Sequence, residues 1–169
     1  IAYNLFSILI QIVTMILSCY AFWRITRSLR LSVLSTVLYM AFWYRLMDFY
    51  FRGALGEMIA LAFFPLLFAG LFCVLRDEYD YWPLLAAAYT GMLQSHIIST
   101  LFAIAITFAA CGLWLTALRE QKRRQALLKS IGITVLLNIW FIVPFLMFYH
   151  NMDFNVKVPS GALQCMWFS

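Results

Sequence analysis

From Trp82 to Leu118 the chain carries no Asp, Glu, Lys or Arg. At about 1.5 Å per residue a single helix of that length would reach roughly 55 Å, far beyond the ~30 Å hydrocarbon core of a bilayer. The run therefore has to fold back on itself. Its one polar cluster near the middle is Gln94, Ser95, His96, Ser99 and Thr100. The turn is predicted there, between short helices at about 82–94 and 99–118. The first of these is short for a crossing.

The rest of the chain has the same texture: 65% hydrophobic and only 11% charged residues, against roughly 25% charged in soluble domains. Its mean hydropathy is +0.89. The remaining apolar runs are separated by "RITRSLR" at 24–30, "YRLMDFYFRGALGE" at 44–57, "RDEYDY" at 76–81 and "REQKRRQALLK" at 119–129. They define spans at about 1–23, 31–47, 55–75 and 127–149, the second barely long enough. The predicted fold is an all-α, polytopic transmembrane bundle of about six spans over residues 1–150, with 151–169 beginning an outer-face segment. The first run lacks a basic leader and is long enough to span, so it reads as a mature helix and not a signal peptide. Because the chain opens on Ile1 without an initiator Met, it reads as an internal piece of a longer protein.

Charge asymmetry orients the bundle. With Arg24, Arg27 and Arg30 cytoplasmic, an even number of spans puts the basic run at 119–129 on the same side. Of the twelve Lys and Arg residues, only Arg45, Arg52 and Lys157 then fall outside. The 119–129 run is expected to be a solvated loop against anionic lipid. Nucleic-acid binding has no other support.

Four cysteines without a pairing pattern read as free thiols. No His, Cys, Asp or Glu spacing points to a metal, and no glycine-rich phosphate loop is present. Pro65 and Pro144 sit inside spans and are expected to be structural, provided neighbouring helices satisfy the carbonyls they free.

The predicted topology gathers Tyr44–Glu57, the Gln94–Thr100 turn and the His150–Ser169 tail on the outer side. Arg45, Asp48 and Arg52 stand at i, i+3 and i+7, so a continuous helix would align them on one face as an anion-receptive surface. Glu57 would lie in the first turn of the third span, favoured there by the helix dipole. Two readings of this set stay open. Charged groups at membrane depth mark functional sites, whereas interfacial Arg and Tyr also serve as anchors. His96 equally admits a ligand-contacting or proton-shuttling role and a turn-satisfying one.

The segments "AYNLF" at 2–6, "LYMAFWYRLMDFYFRGALGEMIALAFFPLLFAG" at 38–70 and "LQSHIISTL" at 93–101 resemble the bacterial 6-pyruvoyl-tetrahydropterin-synthase-related integral membrane domain. The most specific part is the series Tyr44, Arg45, Asp48, Tyr50, Arg52, Gly53, Ala54, Glu57, Pro65 and Leu66, followed by His96. Members of that family look like the GT-C class of polytopic glycosyltransferases, which use sugars carried on polyprenyl phosphate at the outer membrane face. The resemblance implies a multi-pass protein of the bacterial cytoplasmic membrane, working in cell-envelope glycan assembly. In that class the acidic residue that acts as catalytic base typically lies in the first outer loop, just after the first span, and a piece that starts at Ile1 is expected to lack it, so Asp48 is not expected to inherit that role.

Within that expectation Arg45 and Arg52 would hold the phosphate by bidentate contact, with Asp48, Tyr44, Tyr50 and Gln94 around the substrate. Glu57 and His96 would be the acid–base candidates. No cofactor is identified, and partners beyond membrane lipid and the polyprenyl-phosphate-linked sugar are open. The alternatives are a transporter or flippase of a lipid-linked or anionic substrate, and a non-catalytic membrane scaffold.

Overall fold

The computed structural model describes residues 2–113 and 119–151. They form helices and turns without a strand: α1 Ala2–Thr26, α2 Leu29–Met40, α3 Trp43–Met47, α4 Leu55–Leu75, α5 Trp82–Ser95, α6 Ile97–Leu113 and α7 Gln121–Asn151. Three of them, α1, α4 and α7, are long and apolar enough to cross a membrane. The expected features at 114–118, at Lys157 and Cys165, and in the tail from 152 lie outside the described residues.

Helix α4 is the axis of the bundle. Within its most apolar stretch 61% of residues are buried, against 28% for α1 and 6% for α7. Helix α7 thus leaves most of its apolar surface uncovered, as a lipid-facing span would. Pro65 lies inside α4 and removes the amide that would bond the Leu61 carbonyl. The Tyr39 hydroxyl on α2 donates to that carbonyl instead. The orphan acceptor that proline creates is thus met by a neighbouring helix.

Helices α1 and α2 are joined through Arg27, which takes a left-handed φ of 56°. They run back on each other, with Ser32 Oγ donating to the Cys19 carbonyl. Helices α5 and α7 run parallel in steps of four residues. Ser130 donates to the Trp82 carbonyl at 2.9 Å, Thr134 to the Ala86 carbonyl at 3.5 Å, and Asn138 to Thr90 Oγ1 at 3.3 Å. Such small polar side chains bring helices together where lipid supplies no hydrophobic drive.

The long uncharged run does fold back. Helix α5 ends at Ser95, His96 is extended at φ −154° and ψ 110°, and α6 returns. The Tyr89 hydroxyl on α5 donates to the Ala103 carbonyl on α6 at 3.2 Å, closing the hairpin.

Two expectations need correcting. A single helix through 31–47 does not form: α2 stops at Met40, Phe42 is extended, and α3 restarts at Trp43. Neither glycine nor proline stands at this break; it lets Arg45 turn toward α1. The basic run at 119–129 is not a solvated loop either. Helix α7 begins at Gln121, and Arg123 is only 5% exposed. Its Nε donates to the Val74 carbonyl at 3.1 Å and its Nη2 to the Leu75 carbonyl at 3.2 Å. These acceptors are among the last carbonyls of α4, which have no partner within their own helix, so the side chain caps it.

One end of the bundle is therefore basic. Arg24 and Arg27 pair with Glu78, Arg123 pairs with Asp77, and the Arg24 guanidinium lies 3.7 Å over the Tyr81 ring. Both basic runs meet the same 77–81 turn, as the even-span argument requires. The Tyr79 hydroxyl, then Arg123, holds the Asp77 carboxyl below the usual range.

Candidate functional site

The opposite end carries a second charged cluster, assembled from three chain segments. Helix α3 runs into a wide turn, Asp48–Arg52, in which the Gly53 amide reaches back five residues to the Asp48 carbonyl at 2.8 Å. Gly53 closes it at φ 60°, a left-handed conformation open to glycine at little cost. A π-type turn shifts the residues after it round the axis. It also holds Arg52 against the start of α4.

Arg52 Nη1 lies 3.0 Å from Glu57 Oε2 and 3.4 Å from Asp48 Oδ1, and it donates to the Tyr44 hydroxyl at 3.2 Å. Tyr44 in turn donates to Glu57 Oε1. Both Glu57 oxygens are thus engaged. The Glu57 hydrogen bond raises the Tyr44 pKa, and the Tyr44 hydroxyl followed by the Glu57 charge raises that of Arg52. The Arg52 side chain is still 52% exposed, leaving part of its donor fork open to a ligand.

Arg45 does not share that face. It is 4% exposed, and its Nη2 donates to Gln11 Oε1 of α1 at 2.5 Å. Burial lowers its pKa. Asp48 is wholly buried, and neither carboxyl oxygen receives a hydrogen bond. Burial and the neighbouring Glu57 charge raise its pKa against the pull of Arg52, His96 and Arg45.

The hinge at His96 reaches the cluster because residue 56 has no side chain. A Cβ there would stand 2.6 Å from the Ser95 carbonyl oxygen. The Ser99 amide donates to His96 Nδ1 at 3.3 Å, and the Ser99 hydroxyl lies 2.8 Å from the same atom. With Nδ1 accepting, a neutral His96 keeps its proton on Nε2, where it is available as a donor.

The structure thus brings together Tyr44, Arg45, Asp48, Arg52, Glu57 and His96. Tyr50 and Gln94 join no hydrogen bond or ion pair; the Tyr50 ring is 72% exposed and packs edge-on against Phe49 at 4.9 Å. With Trp43 and Phe51, also largely exposed, Tyr50 forms an aromatic fringe of the kind found at a membrane–water interface. Gln11 and Tyr3 were missed by sequence reasoning. Tyr3 Oη lies 3.4 Å from where a Gly53 Cβ would stand. An amide in the middle of the apolar first span was the available signal for Gln11, since polar groups inside a span have to find partners. Among the described residues no three His, Cys, Asp or Glu side chains group as metal ligands.

Comparison with known proteins finds no matching family model, curated protein or solved structure.

Proposed function

We propose that the protein is a GT-C-like glycosyltransferase of the bacterial cytoplasmic membrane, taking sugar from a polyprenyl-phosphate carrier at the outer face in cell-envelope glycan assembly. Six helices, α1, α2, α4, α5, α6 and α7, are taken to cross the bilayer, the cluster end facing out. The observation that carries the reading is the half-exposed Arg52, fixed by Tyr44 and Glu57 beside the His96 hinge and an aromatic fringe. A cation held rigidly at an interface suits a lipid-linked phosphate, whose developing charge it stabilises as the sugar leaves. Arg52 holds the phosphate, Glu57 orients Arg52 and Tyr44, and His96 Nε2 is positioned toward an acceptor hydroxyl. Arg45 sets the positive potential from behind.

The transporter reading has one observation in its favour. The buried face of α1 carries Ser7, Thr14 and Ser18, with the hydroxyls of Ser7 and Ser18 unpartnered, as a hydrated path would. Donor binding and sugar transfer, measured separately on detergent-purified full-length protein, test the proposal. Arg52→Ala should weaken donor binding about tenfold or more, and Arg52→Lys should recover only part, because a point charge lacks the guanidinium fork. Unchanged donor binding in Arg52→Ala and Tyr44→Phe, at normal expression, returns the segment to an interfacial anchor. Flux of a lipid-linked substrate across proteoliposomes without sugar transfer would establish the transporter.

A further inference from the structure

Asp48 is the least solvated charged group of the cluster. Its side chain is 0% exposed, and both oxygens lack a hydrogen-bond donor. An ionised carboxylate there has lost water without replacement, a state that strongly favours proton uptake. The groups facing it come from every neighbouring element. Arg45 stands on α3, with Nε and Nη1 buried and unpartnered. Arg52 lies on the wide turn with Nη1 3.4 Å away, Glu57 on α4 and His96 at the hinge. Helix α1 brings Gln11, which carries no charge, and Tyr3 beside Gly53.

Arg52 is shared between the two carboxylates. With Asp48 and Glu57 both ionised they cancel Arg45 and Arg52, and the four side chains sum to zero. A proton on Asp48 leaves one positive charge and weakens its hold on Arg52 without moving an atom. An anion arriving at the exposed fork of Arg52 therefore meets a receptive site only when Asp48 is neutral.

Resting on the reading of this cluster as a phosphate site, we propose that anion and proton bind together: Asp48 takes up one proton from water for each phosphodiester head group held by Arg52. The raised Asp48 pKa agrees with this. Because the bound anion raises it further, affinity is strongest below the Asp48 pKa of the free protein and weakens as pH rises through it.

The test uses the full chain in detergent and lysophosphatidylglycerol, whose phosphodiester keeps its single charge across the range. Calorimetric titration in buffers of different ionisation enthalpy counts protons directly. About one proton taken up per ligand is expected above the Asp48 pKa, with affinity falling about tenfold per pH unit there. Asp48→Asn should bind at least as tightly, without proton uptake or pH dependence. His96→Gln, whatever its affinity, should retain the proton count. Binding by the wild type without proton uptake at any pH overturns the coupling alone, as does a proton count that survives Asp48→Asn. No binding by wild type or Asp48→Asn at any pH overturns the phosphate site, and the coupling with it.

Discussion

The bond from Tyr39 to the Leu61 carbonyl offers a clean energetic test, because its cause is one covalent feature, the proline four residues after Leu61. Pro65 has no amide, so the Leu61 acceptor is unpartnered within α4 and Tyr39 supplies the donor. Tyr39→Phe keeps the ring, and with it the Arg45 guanidinium 5.7 Å from the ring centre, but deletes the donor. Leaving a buried carbonyl unsatisfied costs about 1–3 kcal/mol, toward the lower end within a membrane protein, where alternative partners are found. In a Pro65→Ala background the helix can restore its own bond, and Tyr39→Phe should then cost about 0.5 kcal/mol or less. The expected coupling is about 1–2 kcal/mol, measured by reversible unfolding in mixed micelles across the four proteins of the cycle. Equal costs of Tyr39→Phe in both backgrounds would refute the account, showing that Tyr39 acts through Arg45 or packing and not through the freed carbonyl.

The remaining predictions concern the two ends. Cysteines introduced at Ser95 and Gln125, in a background without the native thiols, should label from opposite sides of intact membranes with an impermeant reagent, Ser95 from outside; labelling from one side would break the alternation of helices. Arg123→Ala should lower stability by about 2–3 kcal/mol, since two carbonyls in the last turn of α4 lose their donor, and hydrogen exchange should rise first in that turn. Loss of the Asp77 pair is a smaller, pH-dependent part of the change. The depressed folded-state pKa of Asp77 gives a contribution present above its unfolded value of about 3.9 and lost as pH falls through the folded one; because the Tyr79 hydroxyl holds the larger share of that depression, Arg123→Ala should weaken the acid dependence of unfolding without abolishing it.

How far the chain could be read before folding differs sharply between its elements. Apolar length and the lack of charge pointed to an all-α chain with helices able to cross a membrane, as three of the described helices are, and the turn near His96 followed from an uncharged run too long to cross once. The parity of basic runs placed 24–30 and 119–129 together, and the 77–81 turn indeed joins them. The segment 44–57 was recognisable as exceptional because charge among aromatics at that depth is expensive. Its internal geometry was not legible. Whether Arg45 and Arg52 share a face depends on the break at Ala41–Phe42, which no glycine or proline announces, and on the wide turn after Asp48, where Gly53 marks the end but not the width. Likewise nothing local to Arg123 says that it will cap α4, nor anything local to Tyr39 that it will serve Pro65. Apolar periodicity and charge spacing are properties of one segment. The partner of a buried polar group is chosen by whichever helix brings a complementary atom within reach, and that only the packed bundle decides.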